Sequence, residues 1–183
     1  MNRYMVHLEN RGFSVRDARE LLKKAKSLAI NNAIIRDARV ASNHIEFDVG
    51  IAKEEINILL DRFKKIAPIK RCVEITEREI SKDEAVEYAR MLFNEERYWE
   101  AHEVLEGVWK DSYSDEKLTV QGIILVCAAL VHMQKEDNEV GYTILKRALP
   151  KLVMDNYKGI DIRRIKNKAE DMIAKKRVEF FKI

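Results

Sequence analysis

The chain begins with a two-residue period. Tyr4, Val6 and Leu8 alternate with Met5, His7 and Glu9, which predicts a half-buried strand. Ser14 then caps a run in which Val15, Ala18, Leu21, Leu22, Ala25 and Leu28 share one helical face. Residues 33–40 are β-rich, and Ser42-Asn43 supplies a tight turn. A second alternation sets Ile45, Phe47 and Val49 against His44, Glu46 and Asp48. Ile56, Leu59, Leu60, Phe63 and Ile66 form the stripe of a second helix, which Pro68 ends; residues 69–76 read as the last strand. The order β-α-β-β-α-β over residues 1–79 is the split βαβ, or ferredoxin-like, pattern, with helices on one face of a four-stranded antiparallel sheet.

After a junction at 77–80 the period becomes helical. Ser81 to Glu84 reads as a capping box. Ala85, Ala89, Leu92 and Phe93 mark the first helix of this half. Tyr98, Ala101, Val104, Leu105, Val108 and Trp109 mark a second, over about 98–110. A third, over about 116–134, is apolar on nearly every side and belongs at the centre of a bundle. Two more follow, over about 139–149 and 162–176. A weak repeat at an offset of 40 maps Ala89 to Ala129, Ala101 to Gly141 and Leu105 to Leu145. Small residues at such positions let antiparallel helices approach, which points to tetratricopeptide-like hairpins. The fold class expected is therefore α+β: a ferredoxin-like domain over 1–79, then an all-α bundle over 80–183.

Composition supports this division. With 46% hydrophobic residues the chain can build a core, and with 6 Gly and 2 Pro it is poor in the turn residues of an all-β sandwich. The formal charge of +3 provides no global basic field. It is unevenly spread: residues 1–79 and 158–183 are net basic, and 80–157 are net acidic. The basic C-terminal helix (Arg163, Arg164, Lys166, Lys168, Lys175, Lys176, Arg177) reads first as a solvated face complementing that acidic segment, and second as an RNA or partner contact. Cys72 and Cys127 lie in apolar runs without metal or disulfide spacing and read as inert buried thiols. The N-terminal residues lack the apolar core of a signal peptide, and the longest apolar run, Ile123 to Val131, is short for a membrane span. The expectation is a cytoplasmic protein.

Candidate chemistry concentrates between Phe93 and Trp109. At 100° per residue, His102, Glu106 and Trp109 fall along the edge of the apolar stripe, with Trp99 nearby; Glu100 points away and Glu103 lies further round. A polar pair walled by indoles suits a small pocket. On the central helix Gln121, Ala128 and His132 share a stripe, so His132 is a candidate third member. Two histidines and a carboxylate could hold zinc or iron. Without metal, a His–Glu pair could act as a general base. Hydrogen bonds between packed helices are the structural alternative. In the first half, the outward residues Arg3, Met5, His7 and Glu9 on one strand, with His44, Glu46 and Asp48 on its neighbour, lack the stacking aromatics of an RNA-binding sheet. His7, His44 and Asp48 could hold a metal, but a solvated or interface face is the leading expectation.

Phe93-Asn94, the run from Tyr98 to Glu103, Leu105-Glu106, Trp109, the run from Gln121 to Ile124 and His132 together resemble the domain-of-unknown-function family 309, over about residues 84–150. The resemblance implies a small helical domain of prokaryotes and plastids whose characteristic site includes Tyr98, Trp99, His102, Glu103, Glu106, Trp109, Gln121 and His132. It implies no activity. Where the family commonly has a short Gly-Asn connection, this chain has Lys135-Glu136-Asp137-Asn138. Three functions follow as expectations. The first is a small-ligand-binding or protein-interaction module that holds its ligand with Tyr98, Trp99, Glu103, Trp109 and Gln121. The second is a hydrolase-type enzyme, metal-dependent or not, using His102, Glu106 and His132. The third is RNA binding through the C-terminal helix. A divalent metal is the candidate cofactor; a small molecule, a protein or a second copy of the chain is the candidate partner.

Overall fold

The computed structural model describes residues 1–30, 32–76 and 79–183. Two compact units emerge. One comprises Met1–Arg78 with Gln134–Glu136; the other comprises Glu79–Met133 with Asp137–Ile183. Part of the junction expected at 77–80 lies outside the described residues.

The first unit runs β1 (Asn2–Glu9), α1 (Ala18–Leu28), β2 (Ile34–Val40), β3 (His44–Ile51), α2 (Ile56–Phe63) and β4 (Ile69–Glu74). The strands form one sheet in the order β2-β3-β1-β4, and every neighbouring pair is antiparallel. Register follows the apolar alternation. Val6 pairs with Phe47, and Phe47 pairs with Ala38 on the other side, so one face of three strands is continuously apolar. Leu21 and Ala25 of α1 and Leu59 and Phe63 of α2 are buried in the same core; Phe63 meets Phe47 with ring centroids 5.1 Å apart. Each such fully buried Leu, Ile or Phe contributes about 1.5–3 kcal/mol.

The opposite face, expected to be solvated or an interface, is not solvated. Met5, His7, Arg39, His44, Glu46 and Asp48 are all buried. Pairing explains how their charges are tolerated. His7 faces Glu46, and Glu46 faces Arg39, so imidazole, carboxylate and guanidinium sit in one row across three strands. Arg39 Nε donates to Glu46 Oε1 at 2.5 Å, and Asp48 accepts from Arg3 Nε at 3.0 Å. Buried charge is sustained only when paired in this way.

The second unit contains α3 (Lys82–Asn94), α4 (Tyr98–Lys110), α5 (Ser114–Met133), α6 (Asn138–Ala148) and α7 (Ile162–Lys175). A two-residue hairpin, β5 (Asn156–Tyr157) and β6 (Ile160–Asp161), precedes α7. Ser81 and Glu84 form the expected capping box at the start of α3. The 40-residue repeat extends to the backbone. Glu96 and Glu136 both have positive φ, 60° and 63°. The Arg97 amide donates to the Leu92 carbonyl at 2.9 Å, and the Asp137 amide donates to that of His132 at 3.0 Å. Ala101 then bonds back to Arg97, and Gly141 to Asp137. The α3–α4 and α5–α6 connections are thus two copies of one turn, each ending a helix on a left-handed residue.

By length and composition α5 could cross a membrane, because its charged residues, Asp115, Glu116 and Lys117, are confined to its N-terminal end and the polar Thr119 and Gln121 beyond them are uncharged. Its most apolar window is 61% buried within the protein, which is consistent with the core helix of a soluble protein.

Candidate functional site

The eight residues singled out from the sequence separate into three places. Tyr98, the first residue of α4, is in the core. It is fully buried, edge-on to Phe93 at 4.9 Å, and tilted against Phe180 at 5.8 Å. Burial raises its phenol above the usual range, and the nearby Glu96 carboxylate adds to this. Its hydroxyl has no hydrogen-bond partner among the described residues.

The second place is the outer edge of α4. His102, Glu106 and Trp109 lie one and two turns apart on it, as the 3.6-residue period dictates. The His102 side chain is 27% exposed, and those of Glu103 and Glu106 are each 43% exposed. Glu106 Oε1 is 3.8 Å from His102 Nε2. Glu103 Oε1 is 3.4 Å from His102 Nδ1, but not in the line of a hydrogen bond. His102 Nδ1 and Trp109 Nε1 are buried atoms without a hydrogen-bond partner among the described residues. Lys117, early in α5, holds its ammonium 4.4 Å from the Trp109 ring centroid, a cation–π contact that fixes the indole. Trp99 is half-buried against the same helical core.

His132 is the third place. Its Nδ1 is 2.9 Å from Asp137 Oδ2, across the turn that starts α6. The three-residue link 111–113 makes α4 and α5 an antiparallel hairpin. Position 102 then lies opposite about position 122, so Gln121 is about level with His102 along the hairpin. His132 stands about ten residues, roughly 15 Å, further along α5. Helical phase aligned Gln121 and His132 on one stripe but carried no information about distance along the axis. His102 and Glu106 are brought together; His132 has a different carboxylate for company.

Glu100 does not point away. It is 4% exposed, because Arg97, immediately before α4, turns its guanidinium over the first turn. Arg97 Nε and Nη2 donate to the two Glu100 oxygens at 2.7 and 2.6 Å. Burial works against the Arg97 charge, but Glu100 and Glu95 outweigh it and raise its pKa. A carboxylate three residues after an arginine, both at a helix start, was the available signal for this pair.

The basic C-terminal helix is threaded with acidic partners. Lys168 bonds Glu179 at 2.5 Å, Lys175 bonds Asp171 at 2.5 Å, and Lys176 bonds Glu139 at 3.0 Å. Lys176 and Glu139 join the basic C-terminal segment to the acidic middle one. Cys127 is buried and Cys72 half-buried, and neither is in a disulfide.

The family match falls in the second half of the chain. Residues 86–145 match a domain of unknown function, DUF309. That span holds all of α4 and α5 and the eight residues singled out on them. An uncharacterized protein of Aquifex aeolicus (strain VF5) is 29% identical over 126 residues. The alignment takes in 66% of this chain and 36% of that protein, so the chain spans about a third of its relative's length. The crystal structure of a conserved hypothetical protein from Thermus thermophilus is 31% identical, with a TM-score of 0.41. It covers 48% of this chain and 94% of its own.

Proposed function

We propose that the chain joins a ferredoxin-like domain over 1–79 to an all-α domain over 80–183 with tetratricopeptide-like hairpins, in the cytoplasm, and that the outer edge of α4 is a binding site for a small ligand or protein segment. The strand order β2-β3-β1-β4 and the repeated α3–α4 and α5–α6 turns support the two fold assignments.

One observation carries the binding reading. Two buried nitrogens, His102 Nδ1 and Trp109 Nε1, have no hydrogen-bond partner among the described residues, on a helix edge that is itself only partly covered. A buried donor left unpaired costs about 1–3 kcal/mol, so a ligand that supplies the missing partner gains it back. The flanking Glu103 and Glu106 carboxylates accept hydrogen bonds. The complementary ligand therefore carries carbonyl oxygens beside N–H groups, as amides and peptide backbones do. A site of indoles with a few placed polar atoms is the usual composition of a binding pocket.

Trp99 and Trp109 are the chain's two tryptophans, so tryptophan emission, excited apart from the tyrosines, reads this helix. Titration of the full chain with a panel of small amides and dipeptides should give a saturable emission change for at least one member. His102→Ala and Trp109→Phe should each weaken it at least tenfold while the unliganded melting temperature moves by only a few degrees. A flat response from the unmodified protein across the panel, or an unchanged response in both variants, rejects the reading.

A further inference from the structure

The buried polar face of the first unit contains a second grouping, independent of α4. His7, His44 and Glu46 each offer a ligand atom, all within 4.8 Å of one another, and all three residues are buried. Among the described residues this is the one set of three or more His, Cys, Asp or Glu side chains so placed.

Strand register builds it. His7 of β1 and Glu46 of β3 are direct partners, and His44 lies two residues before Glu46 on the same face. A direct pair and its diagonal neighbour are the positions from which antiparallel side chains can meet. Asp48, the carboxylate that the alternation also offered, is a row further along opposite Met5, and its oxygens accept from Arg3.

We propose that His7, His44 and Glu46 bind a divalent transition-metal ion of the zinc class. Donors and their supports fit. His7 Nε2 is 3.7 Å from Glu46 Oε2, and the His7 and His44 ring centroids are 4.9 Å apart. In a tetrahedral site, ligands at about 2.0–2.1 Å from the metal stand about 3.4 Å from each other, so closing on an ion requires side-chain shifts of about 1 Å. Glu46 Oε1 is held by Arg39 Nε, which leaves Oε2 directed toward His7. Arg39 is itself balanced by Asp37 Oδ2 at 3.4 Å, so its charge is shared between two carboxylates. Asn43 Oδ1 lies 2.7 Å from His44 Nδ1; accepting that proton places the lone pair on Nε2. Outer partners that set tautomer and carboxylate orientation are the common second layer of protein metal sites. Two imidazoles with one carboxylate select zinc, iron, cobalt or nickel over calcium and magnesium, which favour all-oxygen shells. Three protein ligands leave a fourth position for water or a small anion.

The test uses the full chain, made without a polyhistidine tag and stripped with a chelator. Calorimetric titration with zinc should give one ion per chain. Cobalt should give the intense visible absorption of a four-coordinate ion. His44→Gln, at the first residue of β3, and Glu46→Gln should each weaken zinc binding at least tenfold, while His102→Gln and His132→Gln leave it unchanged. Circular dichroism identifies any variant that fails to fold, and the cobalt spectrum of the unmodified protein decides the matter without variants. Weak six-coordinate cobalt bands, no stoichiometric zinc binding, or equal affinity in a folded His44→Gln variant would each overturn the proposal.

Discussion

Arg97 and Glu100 illustrate how one residue's surroundings set what it is worth. Each is 4% exposed, and two parallel hydrogen bonds join them at the start of α4. Removing one member of a buried pair strands the other's charge, at about 3–5 kcal/mol, whereas apolar replacement of both is often neutral. Glu100→Ala should therefore cost about 3–5 kcal/mol, and Arg97→Met with Glu100→Leu distinctly less. Urea unfolding followed by tryptophan emission measures both. A single variant that loses under about 1 kcal/mol would show that Glu95, which already accepts from Arg97 Nη1 at 3.1 Å, is enough to hold the guanidinium. The pair escaped the helical projection because angular phase treats every residue before the helix as absent, and Arg97 is one residue before it. The same projection did place His102 beside Glu106, because both lie inside the helix, where phase and distance agree.

Helices and strands followed their periods closely because the apolar stripes are wide and the caps explicit. Ser81 and Glu84 fixed the start of α3, and the α4 stripe ran over 98–110. The hairpin of β5 and β6 had no such signal, since two residues cannot display a period. Burial of the polar sheet face was also illegible, because it depends on which charges register brings opposite one another. The repeat offers a sharper element-level prediction. Gly141 sits where α6 crosses α5, and a Cβ there would lie 2.8 Å from Met133 Cγ and 3.1 Å from the Ala129 carbonyl oxygen. Gly107, also within a helix, has nothing within 4 Å of its Cβ position. Replacing an open helical glycine by alanine gains about 0.8–1.0 kcal/mol, whereas overpacking costs about 1–3 kcal/mol. Gly107→Ala should thus raise the melting temperature, and Gly141→Ala should lower or fail to raise it. A clear gain at Gly141 would mean that α5 and α6 separate more easily than their packing implies.

At the scale of the whole chain, charge governs the response to pH. In the second unit Lys158 bonds Asp83, tying the β5–β6 turn to the first turn of α3, and Ser81 bonds Glu84. The hydrogen bond from Lys158 lowers the Asp83 pKa, and the hydroxyl and amide of Ser81 lower that of Glu84. Lys175 does the same for Asp171, and Lys168 for Glu179. For a carboxyl whose folded pKa is depressed, the unfolded chain binds more protons as the solution acidifies. The stabilisation is fully present above the ordinary values of 3.8 and 4.5, and it is lost as pH falls through the lower folded values. On the alkaline side, burial pushes the Cys127 thiol of the second unit far up, and burial, with Glu74 adding to it, pushes the Cys72 thiol of the first unit up to about 11. There the native form holds its proton longer than the unfolded one, so stability declines from the ordinary 9.0 upward. Tryptophan emission reports the helical unit, and circular dichroism reports both units. Urea midpoints by emission should fall between about pH 5 and pH 3, and Asp83→Asn with Asp171→Asn should flatten that fall. By circular dichroism, Cys72→Ala should flatten the decline between about pH 9 and pH 11. If the emission midpoint is as acid-sensitive in the double variant as in the unmodified chain, the ion pairs of α3 and α7 are not what acid breaks.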